Sequence, residues 1–179
     1  MKRILVTGNT GSGKSTISQE LSELLNIYVY NLDNIVPRSR WQQAPLSQCR
    51  SKLKRIIERE QWIIDGVCLQ AIKSADVIIF LDLPRLICYW QIFKRSLRYL
   101  FKSRPELSSR CPEILILGYL IRLTWNFPKL VRPALLRSLK QISTEKTIIY
   151  IHSYEQLRRL LQTLTQQHQL ETSCRYKFI

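Results

Sequence analysis

Nine residues near the start of the chain have the types and spacing to hold a polyphosphate: Gly8, Asn9, Thr10, Gly11, Ser12, Gly13, Lys14, Ser15 and Thr16. In the pattern Gly-x-x-x-x-Gly-Lys-Ser, the glycines let the backbone adopt positive φ and come close to an anion, so that successive N–H groups point inward at phosphate oxygens. Lys14 adds a mobile positive charge, and Ser15 offers a hydroxyl to a Mg²⁺ ion bridging the β- and γ-phosphates. A helix starting here adds its dipole, which favours the anion further. The chemistry expected is binding of a nucleoside triphosphate.

Three carboxylates stand where apolar runs end. Asp33 follows Ile27 to Leu32, Asp65 closes Trp62-Ile63-Ile64 ahead of Gly66, and Asp82 closes Val77 to Leu81 ahead of Leu83-Pro84. Asp65 is placed to hold Mg²⁺, directly or through water; the plain alternative is a tight Asp-Gly turn. Asp33 is placed to accept a hydrogen bond or proton from the phosphate acceptor, or else to cap a helix or loop. Asp82 reads as a strand-end turn rather than a catalytic group. Arg95, Arg98 and Lys102 form a stripe at helical spacing, followed by Arg104 and Arg110. Such arginines could close over a phosphate in transit, excluding water and stabilising spread negative charge. A solvated basic face is the simpler use of the same residues.

These groups need a scaffold that brings the ends of several apolar runs together. Ile4-Leu5-Val6 reads as a strand leading into the Gly-rich loop, and Ile17, Leu21, Leu24 and Leu25 as the helix after it, closed by Asn26. Ile27 to Leu32, Trp62 to Gly66, Val77 to Leu81 and Thr147 to Ile151 read as further strands. Asn34 to Pro45, with Arg38, Arg40 and Trp41, reads as a loop. Helices are expected over Ser47 to Glu60, with Cys49, Leu53, Ile56 and Ile57 on one face, and over Pro84 to Lys102, with Leu86, Trp90, Phe93, Leu97 and Leu100 at helical spacing. Ser103 to Pro112 is a break. Glu113 to Phe127, Pro128 to Lys140 and Tyr154 to His168 complete the helices, the last with Leu157, Leu160, Leu161 and Leu164 inward. Strands alternating with helices give an α/β fold with a parallel sheet, whose ligands bind beyond the carboxyl ends of the strands.

At 179 residues and 45% hydrophobic composition, a single domain over 1–179 with a substantial core is expected. The greasiest run, Ile114 to Ile121, stops at Arg122, and only three strongly apolar residues separate Lys2 and Arg3 from the Gly-rich loop. Neither a membrane span nor a signal peptide is expected, which points to a cytoplasmic chain with no membrane partner. Five scattered cysteines and two histidines make a disulfide framework or zinc site unexpected. The net charge is +15, and the segment Arg85 to Lys140 sets twelve Lys or Arg against Glu106 and Glu113, so it carries ten of the fifteen net charges. An anionic partner follows, whether polyphosphate or nucleic acid.

The Gly-rich loop, Trp62-Ile63-Ile64-Asp65-Gly66, and Phe80-Leu81-Asp82-Leu83-Pro84 followed by a basic helix resemble the adenylate kinase branch of P-loop kinases. Within that branch the chain is similar to the adenylate-kinase-related "DNA topology modulation" proteins, through Asn31-Leu32-Asp33, Trp62 to Gly66, Leu81 to Arg85, Arg104-Pro105-Glu106 and Cys111-Pro112-Glu113. The resemblance implies a three-layer α/β/α sandwich on a five-stranded parallel sheet in the order 2-3-1-4-5, with a helical basic lid, about 95–140, between strands 4 and 5. It implies ATP and Mg²⁺ as cofactors, Asp65 as the Asp-Gly carboxylate, and Arg95 as a lid-helix arginine touching the phosphates. Gln91 stands where an adenine-side arginine is usual, and no nucleotide-acceptor signature surrounds Arg38 and Arg40, so AMP is not the expected acceptor.

The reading that results is a small ATP-dependent kinase of the nucleotide or metabolite type. Lys14, Asp33, Asp65, Arg95 and Arg98 are its catalytic candidates, and Ser15 and Asp65 its metal contacts. A GTPase is disfavoured because no Asn-Lys-x-Asp motif occurs, and a motor ATPase because Gly66, not an acidic residue, follows Asp65. Two other readings stay open. One is a nucleic-acid-binding regulator on a kinase fold, motivated by the charge although no helix-turn-helix, zinc finger or RNA-binding signature is present. The other is a nucleotide-binding protein without turnover.

Overall fold

Parallel strands covered on both faces read as unbroken apolar runs, and the three central strands are such runs. The computed structural model describes residues 2–32, 46–98 and 113–176, with side chains for 2–32, 48–97 and 117–166. In chain order these form β1 (Arg3–Gly8), α1 (Lys14–Leu25), β2 (Val29–Asn31), α2 (Leu46–Ile57), β3 (Trp62–Asp65), α3 (Leu69–Ser74), β4 (Val77–Leu81), α4 (Arg85–Arg98), α5 (Glu113–Leu130), α6 (Arg132–Ile142), β5 (Thr147–Ile151) and α7 (Tyr154–Tyr176). The strands lie in the order β2-β3-β1-β4-β5, every neighbour parallel. This is the expected five-stranded sheet.

Side chains alternate across the sheet and feed two apolar layers. On one face Leu5, Ile64, Ile78 and Phe80 pack against Leu53 of α2, Ala71 and Ile72 of α3, Phe127 of α5, and Leu135 and Leu139 of α6. On the other, Ile4, Val6, Ile63, Ile79 and Leu81 pack against Ile17 and Leu21 of α1 and Leu157 of α7. Cys49 and Leu53 are buried, and Ile56 and Ile57 lean on the same core, so α2 buries the face its periodicity indicates. Asn26 closes α1 in the left-handed conformation that asparagine tolerates, with φ 54°.

Several details depart from the sequence pattern. β2 pairs over Val29–Asn31 only, although Ile27 and Leu32 are buried beside it. The short helix α3 was not expected; six residues are too few to show a period, and its start is capped by Cys68 Sγ, which accepts from Ala71 N at 3.4 Å. The expected boundary at Phe127 is absent, because α5 runs through Pro128 to Leu130. The chain turns instead at Val131, ahead of Pro133 in the first turn of α6. On α4 the buried face is Cys88, Ile92 and Ser96, while Leu86, Trp90, Phe93 and Leu97 face outward. Periodicity locates an apolar stripe but does not say whether anything covers it.

Asp82, expected at a strand-end turn, follows β4 and pairs with Arg132. Arg132 donates to it through both Nε and Nη2, at 2.9 and 2.7 Å, fixing the start of α6 to the end of β4. This contact raises the Arg132 guanidinium pKa further. Cys49, Cys68 and Cys88 are free thiols. Among the described residues no helix is long and apolar enough to cross a membrane.

Candidate functional site

The strand order sets the site. β1 lies between β3 and β4, so the loop leaving its carboxyl end emerges beside the carboxyl ends of both. In register, Val6 pairs with Asp65 and Asn31 pairs with Asp65 from the other side, while Gly8 pairs with Leu81. Asp65 is thus delivered to the foot of the Gly-rich loop by backbone hydrogen bonding alone, reinforced by Gly66 N donating to Val6 O at 3.0 Å.

Gly11 and Gly13 both take the left-handed conformation, at φ 76° and 90°. At Gly11 the lack of a side chain is needed twice: a Cβ there would lie 2.6 Å from Cys88 O and 2.8 Å from Ile92 Cγ1, so the loop rests directly on α4. Gly13 precedes the first turn of α1, whose start has no side-chain cap. Its orphan N–H groups are those the motif turns toward an anion.

Inside the loop, Asn9 O is a hub. It accepts from Ser12 Oγ at 2.8 Å and from Lys14 Nζ at 2.8 Å, which folds the lysine over the cradle. Asn9 is itself buried; its Oδ1 accepts from Thr10 N at 2.7 Å, and its Nδ2 donates to Thr124 O at 3.3 Å. That carbonyl is accessible to Asn9 for a reason written in α5. Thr124 is four residues before Pro128, and a proline has no N–H to return to the carbonyl one turn back.

Ser15, on the first turn of α1, donates its hydroxyl to Asp65 Oδ2 at 2.6 Å, and Asn31 Nδ2 approaches the same oxygen at 3.4 Å. Asp65 is only 3% exposed. These are hard oxygen donors, one neutral and one anionic, which suits Mg²⁺; that ion is commonly held by one or two protein oxygens together with substrate phosphates. No group of three or more His, Cys, Asp or Glu side chains among the described residues forms an all-protein metal cage. The residues present fit a cation shared with a polyphosphate.

A cavity of about 480 Å³ opens beside the loop, lined by Gly13, Thr16, Glu20, Gln91, Tyr154 and Arg158 among others. The Tyr154 ring end lies over Gly13, and its hydroxyl is cut off from solvent, with Gln91 close by but outside hydrogen-bond geometry. Burial pushes the Tyr154 phenol pKa up. Burial likewise pushes the Cys88 thiol up to about 11, although the nearby Lys14 charge opposes the shift. A second cleft, about 420 Å³ between α2 and α3, is remote from these groups.

Of the residues singled out in the sequence, Gly8 to Thr16 and Asp65 come together. Arg95 is half-buried, on the side of α4 that carries Cys88 and Ile92 toward the loop. Arg98 ends α4, with its side chain outside the described residues. Asp33, Arg38, Arg40, Arg104 and Arg110 also lie outside them. Asn31, Thr124 and Tyr154 were not anticipated as site residues. Only Thr124 had a signal, as the residue four before a proline in a run with helical spacing.

No protein-family model matches the chain, and no curated protein matches it in sequence. Solved structures do match. Deoxyadenosine kinase from M. mycoides with bound dATP is similar at 16% identity over 92% of this chain and 99% of that one, with a TM-score of 0.54. Shikimate kinase from Acinetobacter baumannii in complex with shikimate is similar at 18% identity over 93% and 92%, with a TM-score of 0.53. The sheet order, the helices on both faces and these neighbours agree: the chain has the P-loop kinase fold.

Proposed function

We propose that this protein is an ATP-dependent phosphotransferase that moves the γ-phosphate of Mg-ATP to a small-molecule or nucleotide acceptor, within one domain spanning 1–179. The observation that carries the reading is the 2.6 Å contact of Ser15 Oγ with Asp65 Oδ2, two metal-competent oxygens from separate elements brought together at the mouth of an anion cradle. Ser15 and Asp65 would hold Mg²⁺ there, and the ion would supply positive charge against the charge developing on the transferred group.

The chain's own groups have distinct tasks in this reading. The loop N–H groups bind and orient the β- and γ-phosphates, and Lys14 Nζ leaves Asn9 O to meet the phosphate oxygens. Asn31 orients the Asp65 carboxylate. Arg95 and Arg98 carry positive charge from α4 toward the transferred group, within a lid of about 95–140 whose later part is anchored by Phe127, Leu135 and Leu139 in the core. Asp33 takes the proton or hydrogen bond of the acceptor. The cavity beside Gly13, with Tyr154 and Gln91 in its wall, receives the base of the donor. The fold of the deoxyadenosine and shikimate kinases supports an acceptor hydroxyl on a nucleoside or a small polyol. The resemblance to the "DNA topology modulation" branch supports the adenylate-kinase-like subtype.

The test is ADP release over a panel of nucleosides, nucleoside monophosphates and small hydroxylated acids, with Lys14→Ala as control. Turnover with one acceptor class, lost in the control while the fold is retained, is the expected result. ATP binding without turnover across the panel, or equal rates in the control, would sink the proposal.

A further inference from the structure

The outward face of α4 and its neighbour α5 has a composition that neither the core nor the phosphate site uses. Leu86, Trp90, Phe93 and Leu97 line one face of α4, opposite Cys88 and Ile92, and Ile121 and Trp125 share a face of α5 with Arg122 and Lys129. All six apolar side chains are exposed, from Ile121 at 45% to Leu86 at 81%. The two helices pack together, and the Arg85 guanidinium lies over the Trp125 ring at 5.1 Å, joining the two stripes. Trp90 stacks on Phe93 at 6.2 Å, with Lys94 5.1 Å over the Trp90 ring. Neither α4 nor residues 117–130 contain an Asp or Glu.

We infer that this face docks on an anionic lipid surface. Large leucines and aromatics on one face, with only cations at their margin, are what a helix needs to lie in the interfacial plane of a bilayer. Arg85 and Lys94 hold their charges at the boundary of the apolar area, where long basic stems cover apolar surface and their heads reach lipid phosphates. Charge complementarity decides the occupant. A second copy meeting this face about a two-fold axis would bring Arg85, Lys94, Arg122 and Lys129 against a surface of the same sign, and the patch offers no carboxylate to relieve that. A nucleic acid strand would use the aromatic rings and cations but leave Leu86, Leu97 and Ile121 against water or phosphate. The docking is peripheral, in keeping with the absence of a spanning helix among the described residues. It departs from the sequence expectation of no membrane partner, which rested on run length and is blind to an outward helix face. It stands independently of the phosphotransfer reading.

The experiment is vesicle flotation of the full chain. Pure phosphatidylcholine vesicles should leave it in solution, and vesicles with about 30 mol% phosphatidylserine should carry it up, with binding lost as salt rises from about 0.05 to 0.5 M. Trp90→Ala with Phe93→Ala should weaken partitioning roughly tenfold or more, and Lys94→Glu with Arg122→Glu should abolish it. Melting temperature and ATP affinity should be unchanged in the Trp90→Ala/Phe93→Ala chain, because those two side chains are exposed and outside the site. Brominated lipids should quench tryptophan fluorescence in the unaltered chain. The inference is overturned by no flotation at low salt or by undiminished flotation of the Trp90→Ala/Phe93→Ala chain. It is also overturned if that double change instead dissolves a dimer or releases a single-stranded oligonucleotide.

Discussion

The side-chain amide of Asn9 donates to the main-chain carbonyl of Thr124, 115 residues away, and does so where Pro128 withholds the helical N–H. The Gly-rich loop is therefore tied to α5 by a bond that a regular helix would not offer. Asn9→Ala leaves a buried carbonyl without this partner and removes the acceptor of Thr10 N, which should cost about 1–3 kcal/mol. Adding Pro128→Ala restores an N–H one turn along and should recover part of that loss, although it cannot restore the loop geometry. Urea denaturation of the four chains of this cycle, alongside ATP affinity, checks both halves. Additive effects on stability would refute the coupling.

Ser15 and Asp65 act on one cation in the proposed site, so their removal should not add. Ser15→Ala and Asp65→Asn should each lower turnover by roughly two to three orders of magnitude, with the double change little worse than the more damaging single one. Each should also raise the Mg²⁺ concentration required for half-maximal rate. A Mg²⁺ titration of the three variants is the measurement, and independent multiplicative losses would show that the two oxygens do not share a metal.

Glycine is needed at Gly11 and merely tolerated at Gly118. A Cβ at Gly11 would meet Cys88 O at 2.6 Å in a left-handed backbone, whereas at Gly118, in α5, nothing lies within 4 Å. Gly11→Ala should cost about 2–3 kcal/mol and weaken nucleotide binding, because loop and α4 must separate. Gly118→Ala should stabilise the chain by about 0.5–1 kcal/mol by reducing the freedom of the unfolded state. Thermal melts of the two variants should shift in opposite directions.

Cys88 sets a pH dependence of known sign. Its thiol is pushed up from 9.0 to about 11 by burial, so above pH 9 the unfolded chain loses a proton that the folded chain keeps. Stability falls with pH wherever the folded state binds more protons, so it should decline between about pH 9 and 11, by at most about 2 kcal/mol from this group. The raised Tyr154 phenol adds in the same direction at higher pH. Denaturation at about pH 8 and pH 10.5 should show a smaller drop for Cys88→Ala than for the unaltered chain.

Much of the scaffold could be read from local pattern. Unbroken apolar runs named the strands Val77–Leu81 and Thr147–Ile151 with their observed limits, and the glycine and lysine spacing named the cradle. Val77–Leu81 is legible because both faces of a central parallel strand are buried, the edge strand Thr147–Ile151 because its residues are β-branched and aromatic, and the cradle because an anion-binding backbone demands glycine at fixed offsets. The face of α4 was not legible. Its strongest apolar stripe lies outward, since Gly11 draws Cys88 and Ile92 against the loop and leaves Trp90 and Phe93 uncovered.

The sequence by itself determined that a Gly-rich loop with the spacing of a phosphate cradle follows the first strand, that the fold is a parallel α/β sheet, and that a strong positive charge lies between β4 and β5. Only the tertiary structure decided which groups meet. Register between β1, β2 and β3 sets Ser15, Asn31 and Asp65 around one point, and Pro128 opens a carbonyl for Asn9. Contacts of that kind join residues from 34 to 115 positions apart, where local propensity and spacing carry no information.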